Sequence, residues 1–174
     1  MSLKNIIIEP DPILRQKSEP IENINNDTRN LLDDMLETMY AAPGIGLAAV
    51  QVGILKRIVV IDVSKKDQEK KPIHLINPEI TFKSKKTSVF EEGCLSLPGY
   101  FAEIERPSEC KVKYIDYNGV KKELNADGLL ATCIQHEIDH LDGILFIDYL
   151  SKLKKDLILK KVKKQKKEID RVVV

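Results

Sequence analysis

The stretch QHEIDHLDG, residues 135–143, decides how this chain is interpreted. It places His136 and His140 four residues apart, with Glu137 directly after the first histidine. On an α-helix, positions four apart lie about 40° from each other around the axis, so both imidazoles can bind one metal ion. Glu137 is turned about 100° from His136, which suits contact with a metal-bound water better than direct ligation. The stretch therefore predicts a metal site on a helix.

The helix that contains this stretch is predicted to lie at the centre of the fold. Asp127 can cap it, and it is expected to run from about Gly128 to Leu141. Its apolar residues surround the axis, which is typical of a buried helix: they are Leu129, Leu130, Ile134, Ile138 and Leu141. Two histidines and a glutamate buried together need partners, and a bound cation supplies them.

The remaining chain alternates between strand and helix patterns. Three runs rich in β-branched or alternating residues are predicted as strands: residues 56–62, 73–82 and 88–93. The Asn118-Gly119 dipeptide between two further alternating runs predicts a β-hairpin. The class is α+β, with antiparallel β-sheets wrapped around the central helix and a basic C-terminal helix over about 149–171. A single domain is expected over residues 1–174.

Composition limits the classes of partner. Hydrophobic residues make up 43% of the chain and charged residues 32%, with a formal net charge of +1. These values are ordinary for a globular protein and give no overall field that favours DNA or a membrane, so neither partner is expected. Three cysteines form an odd and sparse set, which fits reduced thiols in a cytosol better than a disulfide framework. A cytoplasmic location is therefore expected.

A metal site needs a third protein ligand. The extended protease pattern H-E-x-x-H-x-x-G-x-x-H fits through Gly143, but its third histidine falls on Phe146. Cys133 shares the helix face but lies about 10.5 Å along the axis from His140, so it is expected to line a pocket. Cys94, in FEEGCLSLPGY, is either a buried small hydrophobe or the third ligand. A Cys-His-His set leaves a fourth position open for water, as in catalytic sites.

The stretch APGIGLAAVQVG, residues 42–53, is the third notable segment. Its G-x-G-x-x-A pattern follows a helix and precedes a strand, the reverse of a dinucleotide-binding loop, so that interpretation is rejected. The small residues at 44, 46, 48 and 49 predict a strand that a ligand backbone can approach closely. Gln51 then stands nearby as a neutral donor. A tight helix-to-strand connection with Gln51 exposed is the alternative.

Together, these stretches resemble the three signature motifs of peptide deformylases: GIGLAAVQ the first, EGCLS the second and QHEIDHL the third. The resemblance runs from EPDPILR through the C-terminal helix and is nearest to the bacterial form. It implies an enzyme that removes the N-formyl group from the N-terminal formyl-methionine of newly made polypeptides and releases formate. It also implies one divalent metal ion, Fe²⁺ in the cell, with Zn²⁺, Ni²⁺ or Co²⁺ able to occupy the site.

The resemblance also implies roles for individual residues, transferred by motif position. The metal ligands are Cys94, His136 and His140. Glu137 is the general acid/base, acting on a metal-bound water that attacks the formyl carbon. The oxyanion donors are the Gln51 side chain and the backbone N–H of Leu95.

The substrate-binding residues are predicted from the helix face and the small-residue strand. An apolar slot for the methionine side chain is expected from Ile45, Phe90, Leu129, Thr132 and Cys133. The peptide backbone is expected to add as a strand beside Gly44, Ile45, Gly46 and Leu47. Arg106 is expected to pair with Glu92 behind the site.

Two other functions stay open. A zinc endopeptidase also uses H-E-x-x-H, although Phe146 cannot ligate and Glu168 lies in the charged C-terminal helix. A catalytically silent relative that binds N-termini is the non-enzymatic alternative.

Residues 152–171 hold ten Lys/Arg against three Asp/Glu. This run is either a solvated face or a contact with ribosomal RNA.

Overall fold

The computed structural model describes residues 2–172, and side chains through residue 168. Within this range the α-helices are α1 (Asn26–Ala41), α2 (Gly128–Leu141) and α3 (Lys152–Val172). The strands are β1 (Gly46–Ala48), β2 (Ile58–Ile61), β3 (Ile73–Lys83), β4 (Thr87–Cys94), β5 (Leu97–Pro107), β6 (Glu109–Ile115) and β7 (Lys121–Asp127). Short 3-10 helices cover Pro12–Arg15, Ala49–Val52 and Phe146–Tyr149.

The strands form two antiparallel sheets. One has the order β1-β2-β3-β6-β7, and β4 and β5 form a separate two-stranded sheet. Each of the paired strands runs antiparallel to its neighbour. The predicted α+β class is therefore confirmed, and β1 lies at an edge of the larger sheet.

Strand β2 is buried between two helices. Its side chains alternate: Val59 and Ile61 join the hydrophobic cluster around α2, while Ile58 and Val60 join the cluster around α1. All four are fully buried. A strand covered on both faces has no polar side, which explains the continuous β-branched run in its sequence. Full burial of each such side chain contributes about 1.5–3 kcal/mol.

Helix α2 lies in the core, as predicted. Ten of its fourteen residues are buried, and it contacts strands of both sheets. Two details differ from the prediction. Asp127 occupies the N-cap position but its side chain makes no capping hydrogen bond. Leu129 is 43% exposed rather than packed, because it faces a cavity beside the helix.

The connections around α2 fix its C-terminal end. Gly143 follows the helix with φ of +75°, and a Cβ there would lie 2.4 Å from the backbone oxygen of Arg15. The N-terminal arm therefore packs directly on the end of α2. The helix α3 begins at Lys152, three residues later than predicted, because Phe146–Tyr149 forms a 3-10 helix first.

The predicted hairpin joins β6 to β7. Gly119 in its turn has φ of +84°, a backbone conformation that favours glycine.

Among the described residues, no helix is both long enough and apolar enough to cross a membrane.

Candidate metal centre

Three side chains from two separate parts of the chain bring their donor atoms together. Cys94 ends β4, while His136 and His140 lie one turn apart on α2. Their donor atoms all lie within 4.8 Å of one another. His140 Nε2 is 3.2 Å from His136 Nε2 and 3.3 Å from Cys94 Sγ. We call Cys94, His136 and His140 the donor cluster.

The donor cluster favours positive charge between its members. Burial alone would lower the pKa of His136, but the nearby Cys94 and the hydrogen bond with Glu92 outweigh it and raise this pKa well above its usual value. Burial lowers the pKa of His140, so that imidazole is neutral, the form that binds metals. A proton and a divalent cation are alternative occupants of such a cluster. One thiolate and two imidazoles suit first-row divalent metals, so these residues fit a metal ion.

Glu137 lies beside the donor cluster and is 4% exposed. Among the side chains that the structure describes, its Oε2 is one of the buried oxygens without a hydrogen-bond partner. Burial raises the pKa of Glu137 to about 7. A carboxyl group with this pKa can accept a proton and return it near neutral pH.

The glycines of the first motif make room for the site itself. A Cβ at Gly46 would lie 2.3 Å from Glu137 Oε1, and one at Gly44 would lie 2.8 Å from Leu95 Cδ1. The small residues were predicted to admit a ligand backbone. At Gly46 the structure shows a different reason, since the glycine allows β1 to pack against the Glu137 carboxyl group.

Gln51 is buried, so the alternative of an exposed side chain is wrong. Its Oε1 accepts a hydrogen bond from the Ala48 amide at 2.9 Å, and its Nε2 donates to Ser96 Oγ at 3.1 Å. The same Nε2 lies 3.4 Å from Cys94 Sγ. Ser96, which is fully buried, was missed from the sequence. Its position two residues after Cys94 was the available signal.

A cavity of about 460 Å³ opens beside these residues. Seven of the predicted substrate-binding residues line it: Gly44, Ile45, Gly46, Phe90, Leu129, Thr132 and Cys133. The wall also includes the remaining residues of the candidate site: Gln51, Cys94, Leu95, His136 and Glu137. Leu47 does not line the cavity, because its side chain is fully buried in the cluster around α1. Phe101, which the sequence did not suggest, lies at the wall with 63% of its surface exposed.

The pair of Arg106 and Glu92 supports the donor cluster from behind. Arg106 is 3% exposed and donates to both Glu92 oxygens, at 2.6 and 3.0 Å. Burial alone would raise the pKa of Glu92, but hydrogen bonds from His136 and Arg106 hold it below its usual value. The ionised Glu92 accepts a hydrogen bond from His136 Nδ1 at 2.8 Å. This contact leaves the Nε2 lone pair of His136 directed into the donor cluster.

The fold and these contacts define a metal-dependent hydrolase with its H-E-x-x-H motif on a buried helix. Phe146 takes the position of the third histidine in the extended protease pattern, and its ring centroid lies 6.2 Å from that of His136. Glu168 is exposed on α3. Within the described part of the chain, Cys94 therefore supplies the third donor atom beside the two histidines.

Comparisons with known proteins identify the family. The family model described as polypeptide deformylase matches residues 3–156. The chain belongs to the peptide deformylase family, hydrolases that remove the N-formyl group from newly made polypeptides. It is 60% identical to the peptide deformylase of Pelagibacter ubique (strain HTCC1062) over 174 residues, the whole of both chains.

Solved structures agree with this assignment. The crystal structure of peptide deformylase from Ehrlichia chaffeensis has a TM-score of 0.91 and 45% identity, covering 96% of this chain and 98% of that one. A second structure of that enzyme, in complex with actinonin, has a TM-score of 0.91 and 48% identity, covering 95% and 98%.

The packing of Gly46 on Glu137 generates a testable prediction. Gly46→Ala forces Glu137 to move, because the new Cβ meets its carboxyl oxygen, and a displacement of about 1 Å costs on the order of 10²-fold in rate. Gly119→Ala is the matched control, since this glycine lies in the β6–β7 turn outside the cavity wall and its added Cβ would meet nothing within 4 Å. We expect kcat for a formyl peptide to fall about 10²-fold in the first variant and by less than about threefold in the second. Equal kcat values in the two variants would contradict this account.

Proposed function

We propose that the donor cluster holds one divalent metal ion and that Glu137 moves the proton during hydrolysis of formyl-methionyl peptides. The supporting observation is the convergence of three donor atoms within 4.8 Å, with Glu137 beside them at the wall of the cavity. When bound, the ion polarises the formyl carbonyl and makes a water molecule a stronger acid.

In this proposal the proton passes through Glu137. The carboxylate accepts a proton from the attacking water and returns it to the leaving amine, which releases formate and a free N-terminus. The pKa of about 7 suits both transfers. A bound cation acts in the opposite direction to burial and lowers this pKa, since it favours the ionised carboxylate.

Gln51 and the backbone N–H of Leu95 are the proposed donors to the oxyanion. The bond from Gln51 Nε2 to Ser96 Oγ holds the amide in place. The second contact of this nitrogen is with Cys94 Sγ at 3.4 Å, and because sulfur is a weak acceptor, a formyl oxygen can replace it. Such prearranged donors act where charge develops in the transition state.

The peptide backbone is proposed to bind at the edge strand β1. The Asp62 amide donates to the Ile45 carbonyl at 2.9 Å, and Gly46 lies opposite Ile61. Gly46 and Ile61 therefore form a non-hydrogen-bonded pair, so the N–H and C=O of Gly46 point away from β2. An extended peptide can add to this edge by pairing with them.

We propose Fe²⁺ as the metal in the cell because the resemblance to peptide deformylases implies it, while one thiolate and two imidazoles would equally accept Zn²⁺, Ni²⁺ or Co²⁺. The cytoplasm is the proposed location, because newly made polypeptides are the substrates. Metal analysis of protein purified from its native host without oxygen tests the iron assignment. Zinc in place of iron would contradict it.

Formate release tests the proposed reaction. We expect the wild-type protein to release formate from formyl-Met-Ala-Ser and to act little on acetyl-Met-Ala-Ser. Glu137→Gln keeps the size of the side chain and removes the proton acceptor, so kcat should fall about 10²–10⁴-fold while the bound metal is retained. Glu103→Gln, at an exposed position on β5 outside the cavity wall, is the control and should keep the wild-type rate.

Other results would identify the alternatives. No formate from wild-type protein with its metal bound would favour a catalytically silent relative. Cleavage of internal bonds in a casein-like substrate would favour an endopeptidase.

The apolar slot gives a second test. Leu129, Thr132 and Cys133 line the cavity from α2, and Ile45 and Phe90 line it from other elements. A charge at Leu129 disfavours burial of a methionine side chain there, so Leu129→Glu should raise KM for formyl-Met-Ala-Ser by about tenfold or more. The control is Leu153→Glu, at a site on α3 that is 71% exposed. An unchanged KM in the Leu129 variant would exclude the slot.

We also propose that the basic helix α3 contacts ribosomal RNA. The described lysines of α3 are mostly exposed, while Val162 is 2% exposed and anchors the helix to the body of the fold. A chain ending at Val162 keeps this anchor and loses the basic segment that follows. We expect it to co-sediment less with ribosomes at low salt, and the difference to shrink as salt is raised. Unchanged co-sedimentation would contradict the contact.

A further inference from the structure

Two residues beyond Arg106 extend the contacts behind the donor cluster. Asp139 Oδ2 accepts a hydrogen bond from Arg106 Nη1 at 2.8 Å and another from the Tyr149 hydroxyl at 2.7 Å. The Tyr149 ring also covers the guanidinium group, with its centroid 4.6 Å from Arg106 Cζ. We call Glu92, Arg106, Asp139 and Tyr149 the arginine network.

The arginine network connects the surface to a member of the donor cluster. Tyr149 is half exposed and ends the 3-10 helix before α3, whereas Arg106 and Glu92 are buried on β5 and β4. The hydrogen bonds run without a gap from the Tyr149 hydroxyl, through Asp139, Arg106 and Glu92, to His136 Nδ1.

The two carboxylates of the arginine network stabilise the positive charge of Arg106. Burial alone would lower the pKa of Arg106, but its hydrogen bonds and charge interactions with Glu92 and Asp139 outweigh it and raise this pKa. Its Nε and Nη2 are used by Glu92, and its Nη1 is used by Asp139. A planar guanidinium group has a fixed donor geometry, so rotating it to compensate for a lost partner also tilts the Glu92 carboxylate.

Tyr149 controls how firmly Asp139 holds Arg106. The Asp139 side chain is 16% exposed, so water can compete for its oxygens. The Tyr149 hydroxyl fixes the same oxygen that accepts from Arg106, and its ring shields one face of the guanidinium group. Loss of the hydroxyl frees the Asp139 carboxylate to turn toward solvent.

We propose that Asp139 and Tyr149 are positioning residues that keep Glu92 aligned on His136 and so set how tightly the donor cluster holds its metal. This inference rests on the proposed function, because it requires a metal at the donor cluster. The outer partners of a metal-bound histidine fix its orientation and basicity, and their removal typically weakens metal affinity about 10–100-fold.

Cobalt retention tests this inference without using activity. Wild-type protein, Tyr149→Phe and Asp139→Asn are loaded with Co²⁺, and transfer of the ion to a chelator is followed together with the visible spectrum of the bound ion. We expect Co²⁺ to dissociate about 3–10-fold faster from Tyr149→Phe and about 10–100-fold faster from Asp139→Asn, with an altered spectrum in both. Tyr149→Phe keeps the ring over Arg106 and removes only the hydroxyl.

Tyr117→Phe is the matched control. Tyr117 also donates to an aspartate, Asp33 Oδ2, at 3.1 Å, but it lies in the cluster around α1 and outside the cavity wall. This variant should keep the wild-type Co²⁺ dissociation rate and spectrum. A merely structural role for Tyr149 would lower thermal stability and leave the rate and spectrum unchanged, as in the control.

The outcomes separate this inference from the proposed function. Wild-type rates and spectra in both Tyr149→Phe and Asp139→Asn would overturn the inference while leaving the metal site intact. If Asp139→Asn does not fold, the Tyr149→Phe result decides, and a wild-type rate there overturns the inference. Failure of the wild-type protein to bind Co²⁺ would overturn the metal site itself, and the inference with it.

Discussion

The burial of two imidazoles and a carboxyl group on one apolar helix is the constraint on which this structure depends. Such groups destabilise a fold unless each finds a partner. The protein supplies Cys94 and Glu92 from β4, and Arg106 from β5, to the helix α2. The separate two-stranded sheet therefore completes the site as well as covering the core.

The same constraint explains the packing of the first motif. β1 lies so close to α2 that a side chain at Gly46 would overlap Glu137, and the buried Gln51 follows immediately in a 3-10 helix. The strand is thus held between the sheet on one side and the proposed general base on the other. This arrangement leaves the backbone groups of Gly46 at the free edge of the sheet, next to the Glu137 carboxyl group.

The sequence predicted the features that depend on local spacing. The i, i+4 histidines and the apolar surroundings of α2 gave the central helix, and Asn118-Gly119 gave the β6–β7 hairpin. Cys94 was predicted as the third metal ligand because the other candidate ligands were excluded and because it lies in the second signature motif. The Arg106–Glu92 pair was also expected, and the structure contains it.

The features that were missed depend on contacts between distant parts of the chain. Asp139 lies within the third motif, but a single acidic residue on a helix does not reveal which residue it pairs with. Its partner is Arg106, 33 positions away in the sequence. Ser96 and Gln51 meet across 45 positions. The purpose of Gly46 could not be predicted, because periodicity does not show which side chain fills the space beside a glycine.

The most direct test of the account is X-ray absorption spectroscopy at the edge of the bound metal, on protein purified without oxygen and on its Cys94→Ser variant. The account predicts one sulfur and two imidazole nitrogens from the protein in the first coordination shell, and loss of the sulfur in the variant. A wild-type shell without sulfur, or a sulfur that persists in Cys94→Ser, would contradict the assignment of Cys94, His136 and His140 as the metal ligands.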